Sequence, residues 1–363
     1  MRRLRLLLVT DAVGGVWVYS VELARALEPH GVDTVLAVAG PPPNEAQREA
    51  AAGIRLLDTG LPLEWMDSDA AELARAAAEL ARIAREEGAD LVQTSSAALI
   101  AEAAFDCPSV AVQHSCVATW WAAVKGTPLP HDFQWRSDLV GRGLDRADAV
   151  VAPSMAFAEA TRRAYGLDRP VVAVHNGRTA RETRLLPQGE FVLTAGRLWD
   201  EGKNVATLDR AAALIDARFQ AAGPTQGPNG AAVSLDRLIL PGPLSEERLA
   251  GLLAARPIYA SAALYEPFGL SVLEAAQAGC ALVLSDIPTH RELWDGAAVF
   301  VDARDDRGFA DAIGGLLGDR ARRDELGRRA REHARQYTPE RMARGMAEIY
   351  ARVTEPQLVA GAA

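Results

Sequence analysis

The stretch from Pro257 to Ser285 constrains this chain more than any other. An apolar run ends at Ala263, a break containing Pro267 and Gly269 follows, a helical pattern closes at Gly279, and a second apolar run ends at Ser285. That is strand, loop, short helix and strand, the unit of an open parallel sheet. Pro267 keeps Glu266 out of helical geometry, so Glu266 belongs to the loop. Glu274 falls one turn beyond Leu270 and on the same side of the helix. The two carboxylates therefore flank the backbone N–H groups of Gly269, Leu270 and Ser271, a helix start suited to an anion and to phosphate in particular. A ligand with hydroxyls at both ends and a diphosphate between them has that layout, as a nucleotide sugar does. Spacing alone leaves a plainer reading open, in which Glu266 is a loop charge and Glu274 a glutamate favoured near a helix start.

The rest of the chain repeats the same alternation. Strands are expected at Leu4–Thr10, Thr34–Ala39, Ile54–Asp58, Leu91–Thr94, Ser109–His114, Ala149–Ala152 and Val171–His175, with helices between them. The pattern predicts a doubly wound parallel sheet with ligands beyond the carboxyl ends of its strands. A chain of 363 residues, 49% hydrophobic, has room for two domains. The polar, proline-containing segment Arg178–Gln188 is the candidate linker. This gives an N-terminal domain at 1–180, a second at 181–338, and a C-terminal helix with a tail at 339–363.

A net charge of −9 argues against a nucleic-acid partner and gives no electrostatic support for membrane docking. Cys107, Cys116 and Cys280 show no paired spacing, which suits a reducing cytoplasm. The apolar start before Thr10 reads as a first strand rather than a leader, and no run approaches the ~20 residues of a membrane span. All but two of the 39 basic residues are arginine, so Lys125 and Lys203 mark places where a compact ammonium could be wanted.

Several residues sit where ligands are expected. Gly14-Gly15, between the first strand and helix, is either a close-approach turn or an ordinary tight one. His114, at a strand end, is a site histidine or a structural one. Ser115–His131 reads as a long loop carrying Trp120 and Trp121, which suit an acceptor wall or plain packing. Asp67-Ser-Asp69 has the D-x-D form of metal-dependent transferases but precedes a helix, where capping is the better reading. In the second half, Gly196-Arg197-Leu-Trp-Asp-Glu-Gly-Lys203-Asn204 places a forked cation and a point cation ahead of a helix, either a diphosphate grip or ordinary surface charges in a loop. No G-x-G-x-x-G follows a strand, which counts against a dinucleotide dehydrogenase.

Glu266-Pro-Phe-Gly-Leu-Ser-Val-Leu-Glu274 resembles the E-x7-E signature of glycosyltransferase family 4, retaining enzymes of GT-B fold. The resemblance extends over nearly the whole chain and is strongest over Gly196–Glu292. It implies two Rossmann-like domains facing an interdomain cleft. It puts Glu266 on the donor sugar, Glu274 on the ribose, and Phe268, Gly269, Leu270 and Ser271 at the donor. Arg197 and Lys203 then bind the diphosphate, Gly242 and Leu244 meet the base, Gly14 and Gly15 lie beside the diphosphate and acceptor, and His114 lies near the reacting sugar. The C-terminal helix is expected to cross back to the first domain. Three departures stand out: Arg197 and Lys203 are one residue further apart than is common, Asn204 replaces a glycine, and Arg178 follows Asn176-Gly177 where the family has valine. The expected activity is hexose transfer from a UDP- or GDP-sugar to a saccharide, lipid-linked or small-molecule hydroxyl, in cell-envelope or exopolysaccharide synthesis, with no cofactor or metal. A sugar-nucleotide epimerase, a glycoside phosphorylase and a non-catalytic two-lobed binding protein are the rivals.

Overall fold

Thirteen strands form two all-parallel sheets in the computed structural model, which describes residues 3–66, 68–181, 186–227 and 230–355. The first sheet contains β1 (Leu4–Asp11), β2 (Val32–Ala39), β3 (Arg55–Asp58), β4 (Leu91–Thr94), β5 (Ser109–Val112), β6 (Ala149–Ala152) and β7 (Val172–Ala173), in the order β3-β2-β1-β4-β5-β6-β7. The second contains β8 (Phe191–Ala195), β9 (Arg218–Ala222), β10 (Ile239–Gly242), β11 (Ile258–Ser261), β12 (Ala281–Ser285) and β13 (Ala298–Val301), in the order β10-β9-β8-β11-β12-β13. In each, the chain winds outward from its first strand, then returns to that strand's other side. The reversal opens a crevice beyond the carboxyl ends of β1 and β4 in one sheet and of β8 and β11 in the other.

Side-chain alternation along β1 explains why helices cover both faces. Leu6 and Leu8 pack with Trp17 and Leu23, while Leu7 and Val9 pack with Leu80 and Leu99 on the opposite face. Helix Pro339–Thr354, capped by Thr338, adds Met342, Met346, Ile349 and Tyr350 to the first of these cores. Gly177 lets the chain pass this helix start, because a Cβ there would lie 2.2 Å from the Thr338 carbonyl oxygen.

The chain divides into two compact units, one of Met1–Thr119, Pro128–Gly177 and Thr338–Ala363, the other of Trp120–Thr127 and Arg178–Tyr337. Within the second unit, Trp120–Thr127 is tied to the turn after β8: Trp120 Nε1 donates to Asp200 Oδ1 at 3.0 Å, and Lys125 pairs with Glu201. The region expected to be a long loop also contains a helix, Val117–Val124, a run without glycine or proline. Parts of the linker (182–185), the residues 228–229, Asp67 and the tail from 356 onward lie outside the described residues.

Candidate active site

The turn leaving β8 is built from backbone constraints before any charge is added. Gly196 has φ +150°, and a Cβ on Gly223 would lie 1.8 Å from the Gly196 carbonyl oxygen, so the two glycines allow the main chains to touch. Asp200 then caps a short 3-10 turn, Glu201–Lys203, its Oδ1 accepting from Gly202 N at 2.9 Å. Its Oδ2 accepts from Arg197 Nη2 at 3.2 Å. The Arg197 side chain keeps 44% of its surface exposed, while that of Asp200 keeps 10%. Gly202, between Arg197 and Lys203, is buried, and its carbonyl accepts from Leu264 N at 2.8 Å and Tyr265 N at 3.2 Å. Asn204 takes the glycine position in a left-handed conformation, φ +50°, which asparagine tolerates better than most residues. Its Nδ2 repays that strain with bonds to the carbonyls of Ala262 at 2.9 Å and Ala303 at 2.6 Å.

These bonds bring the β8 turn against the loop after β11. Lys203 Nζ pairs with Glu266 Oε2, and both side chains are largely buried. Lys203, Glu266, Gly196, Thr194, Ser261 and Ser271 line one recess of about 270 Å³. Gly269, at φ +91°, starts helix Leu270–Ala278, whose first N–H groups have no acceptor within the helix. Ser271 on the first turn of that helix faces the recess, and Leu270 is half-buried beside it. Beneath lies Tyr259, its phenol pushed up by burial and its hydroxyl 3.3 Å from both N and O of Ala195.

Phe268 turns its ring into the core of the second unit. It is 3% exposed and packs edge-on to Tyr337 with ring centroids 5.7 Å apart, so the apolar core claims it. Gly242 ends β10 at an irregularity with φ +76°, and its carbonyl accepts from Gly223 N at 3.0 Å. Leu244 is half-buried just before the helix cap Ser245. Neither lines the recess holding Glu266.

Glu274 projects from the same helix into a second recess of about 460 Å³. Its Oε1 accepts from Arg178 Nε at 3.0 Å, and Arg178 Nη2 donates to Glu246 Oε2 at 3.0 Å. The sequence reading singled out neither Arg178 nor Asp200 as a site residue. Arg178 enters there as the first residue of the candidate linker and as a departure from the family pattern. His290 also escaped it: fully buried, its Nδ1 lies 3.0 Å from the Ser285 carbonyl, and burial holds its imidazole below the usual range.

In the first unit, Gly14 caps helix Gly15–Leu27 at φ +69°, ψ −139°, a conformation that calls for glycine. Asp11 steadies this turn by accepting from Val13 N at 2.7 Å. His114 lies just past β5 with its ring edge-on to Tyr19, centroids 4.3 Å apart. Its Nε2 is enclosed without a hydrogen-bond partner among the described residues, and burial pushes the imidazole down to about 4. The ring is thus neutral near pH 7 and can hydrogen-bond a hydroxyl without carrying charge. Gln93 Nε2 donates to the Tyr19 hydroxyl at 3.3 Å, and the Tyr350 hydroxyl donates to Gln93 Oε1. Within Trp120–Thr127, Trp121 spends its N–H on Thr127 Oγ1 at 3.1 Å, and Lys125 Nζ lies 5.8 Å and 5.9 Å from the ring centroids of Trp120 and Trp121. Asp69 caps helix Ala70–Glu86, accepting from Glu72 N at 2.7 Å, so its carboxylate is engaged by the backbone. Among the described residues no group of three or more His, Cys, Asp or Glu side chains is placed to hold a metal ion.

Two family models match the two halves: Glycosyltransferase Family 4 over residues 13–180 and Glycosyl transferases group 1 over residues 189–319. The chain belongs to glycosyltransferase family 4. Like other family 4 members it is a transferase enzyme. It is 29% identical to a D-inositol 3-phosphate glycosyltransferase from Xylanimonas cellulosilytica, across 95% of this chain and 93% of that protein. A sucrose-phosphate synthase from Thermosynechococcus elongatus superposes with a TM-score of 0.76 at 19% identity, covering 96% of this chain and 99% of the other. Anabaena Alr3699/HepE, solved in complex with UDP-glucose, does so with a TM-score of 0.75 at 17% identity, covering 96% and 100%. These likenesses identify the fold of this family 4 member as GT-B.

Proposed function

We propose that this family 4 enzyme transfers a hexose from a UDP-sugar to a hydroxyl acceptor with retention of anomeric configuration. The observation that carries the reading is the recess gathering Lys203, Glu266 and Ser271 beside the N-terminus of helix Leu270–Ala278. A diphosphate there receives the N–H groups of Gly269, Leu270 and Ser271, the ammonium of Lys203 and the exposed donors of Arg197. Glu266 then turns from Lys203 to the sugar hydroxyls, and Glu274 takes the ribose.

When the glycosidic C–O bond breaks, negative charge grows on the leaving diphosphate. Fixed cations and dipoles already aimed at it lower that barrier without reorganising. Each such donor is worth on the order of 10²–10³ in turnover. These groups supply the charge a divalent ion would otherwise bring, so turnover is expected to survive chelation by EDTA. His114, neutral at the working pH, is assigned to a sugar or acceptor hydroxyl, and Trp121 to the acceptor wall.

Uracil is favoured as the donor's base because a structural neighbour was solved with UDP-glucose. The relative that acts on an inositol phosphate makes phosphorylated polyols the first acceptors to assay, beside the saccharide and lipid-linked acceptors of cell-envelope glycan synthesis. No helix among the described residues is long and apolar enough to cross a membrane. The test is incubation of UDP-glucose and GDP-mannose with an acceptor panel, followed by NMR of the new anomeric proton. Net transfer with the donor's anomeric configuration is expected. Isomerised donor or released sugar phosphate without transfer would replace this reading with an epimerase or a phosphorylase.

A further inference from the structure

Arg178 is the first residue of the second unit after Asn176-Gly177, and everything around it holds it still. Its N–H donates to the Tyr337 carbonyl at 3.3 Å, and its own carbonyl accepts from Gln277 Nε2 at 2.7 Å. Its side chain is only 10% exposed, and its guanidinium spans two carboxylates from two helices, Glu274 at 3.0 Å and Glu246 at 3.0 Å. Arg178, Glu246, Glu274 and Gln277 all line the recess of about 460 Å³, so the pair is presented to a ligand and not sealed in the core.

We infer that Arg178 is a positioning residue for Glu274, fixing its carboxylate in the direction that receives the ribose hydroxyls of the donor. The inference rests on the proposed function, in which Glu274 holds the ribose. A glutamate on a helix surface has several rotatable bonds, and a diol is gripped well only by a carboxylate already held in place. Arg178 supplies that hold through a rigid planar fork with an anchored backbone. It also cancels the repulsion that Glu246 and Glu274 would otherwise exert on one another. Valine, the residue expected here from the family pattern, offers neither contact, so this chain places its own device at the ribose carboxylate.

The test compares UDP with 2′-deoxy-UDP by titration calorimetry on the full chain, because only the first offers the complete diol. Wild type is expected to prefer UDP by about tenfold or more, the worth of one good hydrogen bond to a charged group. In Arg178→Val, UDP affinity falls by about that factor while 2′-deoxy-UDP changes less than about twofold, so the preference collapses. Arg178→Lys keeps the charge without the fork, and its preference falls between the two. Melting temperatures of both variants check that the unit stays folded.

A merely structural role would weaken both nucleotides alike and leave their ratio intact, which overturns the inference. So does tighter UDP binding by Arg178→Val, which would make the arginine a competitor for Glu274, or a full preference in Arg178→Lys. A wild type that binds both nucleotides equally removes Glu274 from the ribose and takes the inference with it. A wild type that binds none of UDP, GDP and ADP removes the donor site itself.

Discussion

The strand ends of the two units share a winding pattern and differ in what they present. Beyond β1, β4 and β5 the groups are mostly uncharged: the Gly14 turn, the neutral His114 ring and the Tyr19–Gln93–Tyr350 chain. The carboxylates there are turned inward, Asp11 to Val13 N and Glu64 to the Ser96 hydroxyl, and burial holds the Glu64 carboxyl above its ordinary value. Beyond β8 and β11 the groups are ions in pairs: Lys203 with Glu266, Arg197 with Asp200, Arg178 with Glu274. On the proposed function, one scaffold serves two kinds of recognition. Fixed ions suit a diphosphate, whereas neutral donors and acceptors suit hydroxyls and keep a reacting sugar out of a strong field.

Removing the ions should break the second region outright. Glu266→Ala and Lys203→Ala are each expected to lower turnover by about 10² or more, with circular dichroism unchanged. Loss of less than about tenfold in both would mean the charged region is not the reacting one. Arg197→Ala comes next, weakening UDP by about tenfold through one lost charge-assisted contact, as read by calorimetry. An unchanged Kd would leave Lys203 and the helix start as the whole diphosphate grip.

The neutral region gives a pH signature. His114 is held near 4 in the folded chain against about 6.5 unfolded, so between those values the unfolded chain binds more protons. Stability therefore rises with pH across that window and is lost as pH falls through it, by about 3 kcal/mol at most from this residue. His114→Gln should flatten the acid side of a urea-midpoint profile between about pH 4 and 6.5. A profile parallel to wild type would show the ring is protonated in place. The smallest effect is expected from Trp120→Phe, which removes the N–H to Asp200 and should cost about 1 kcal/mol of stability with at most a few-fold loss of UDP affinity. A selective rise in acceptor KM instead would place Trp120 at the acceptor wall.

Most of the fold was legible because the apolar runs are long and well punctuated. Strand Leu91–Thr94 and helix Met155–Tyr165 fall where periodicity puts them. Helix Glu45–Ala50 passed unseen because its six residues form fewer than two turns, held by a capping box between Asn44 and Gln47. Helix Val117–Val124 was hidden by its apolar uniformity, which has no polar face to reveal a period. At the site, the motif itself pointed to Lys203, Glu266 and Glu274 as candidates, although their partners lie far along the chain: Glu266 for Lys203 and Arg178 for Glu274. Asp200 and Arg178 had no such pointer, and their meaning lies in partners far along the chain: Trp120 for one, Glu246 and Glu274 for the other. The place of Phe268 in the motif does not tell which way its ring points, and the structure packs that ring against Tyr337.

A crystal structure with UDP-glucose bound tests the central claim most directly. The account predicts the diphosphate against the N–H groups of Gly269, Leu270 and Ser271 and the side chains of Arg197 and Lys203, the hexose on Glu266 and the ribose on Glu274. A diphosphate bound elsewhere, with the Lys203–Glu266 pair undisturbed, would contradict it.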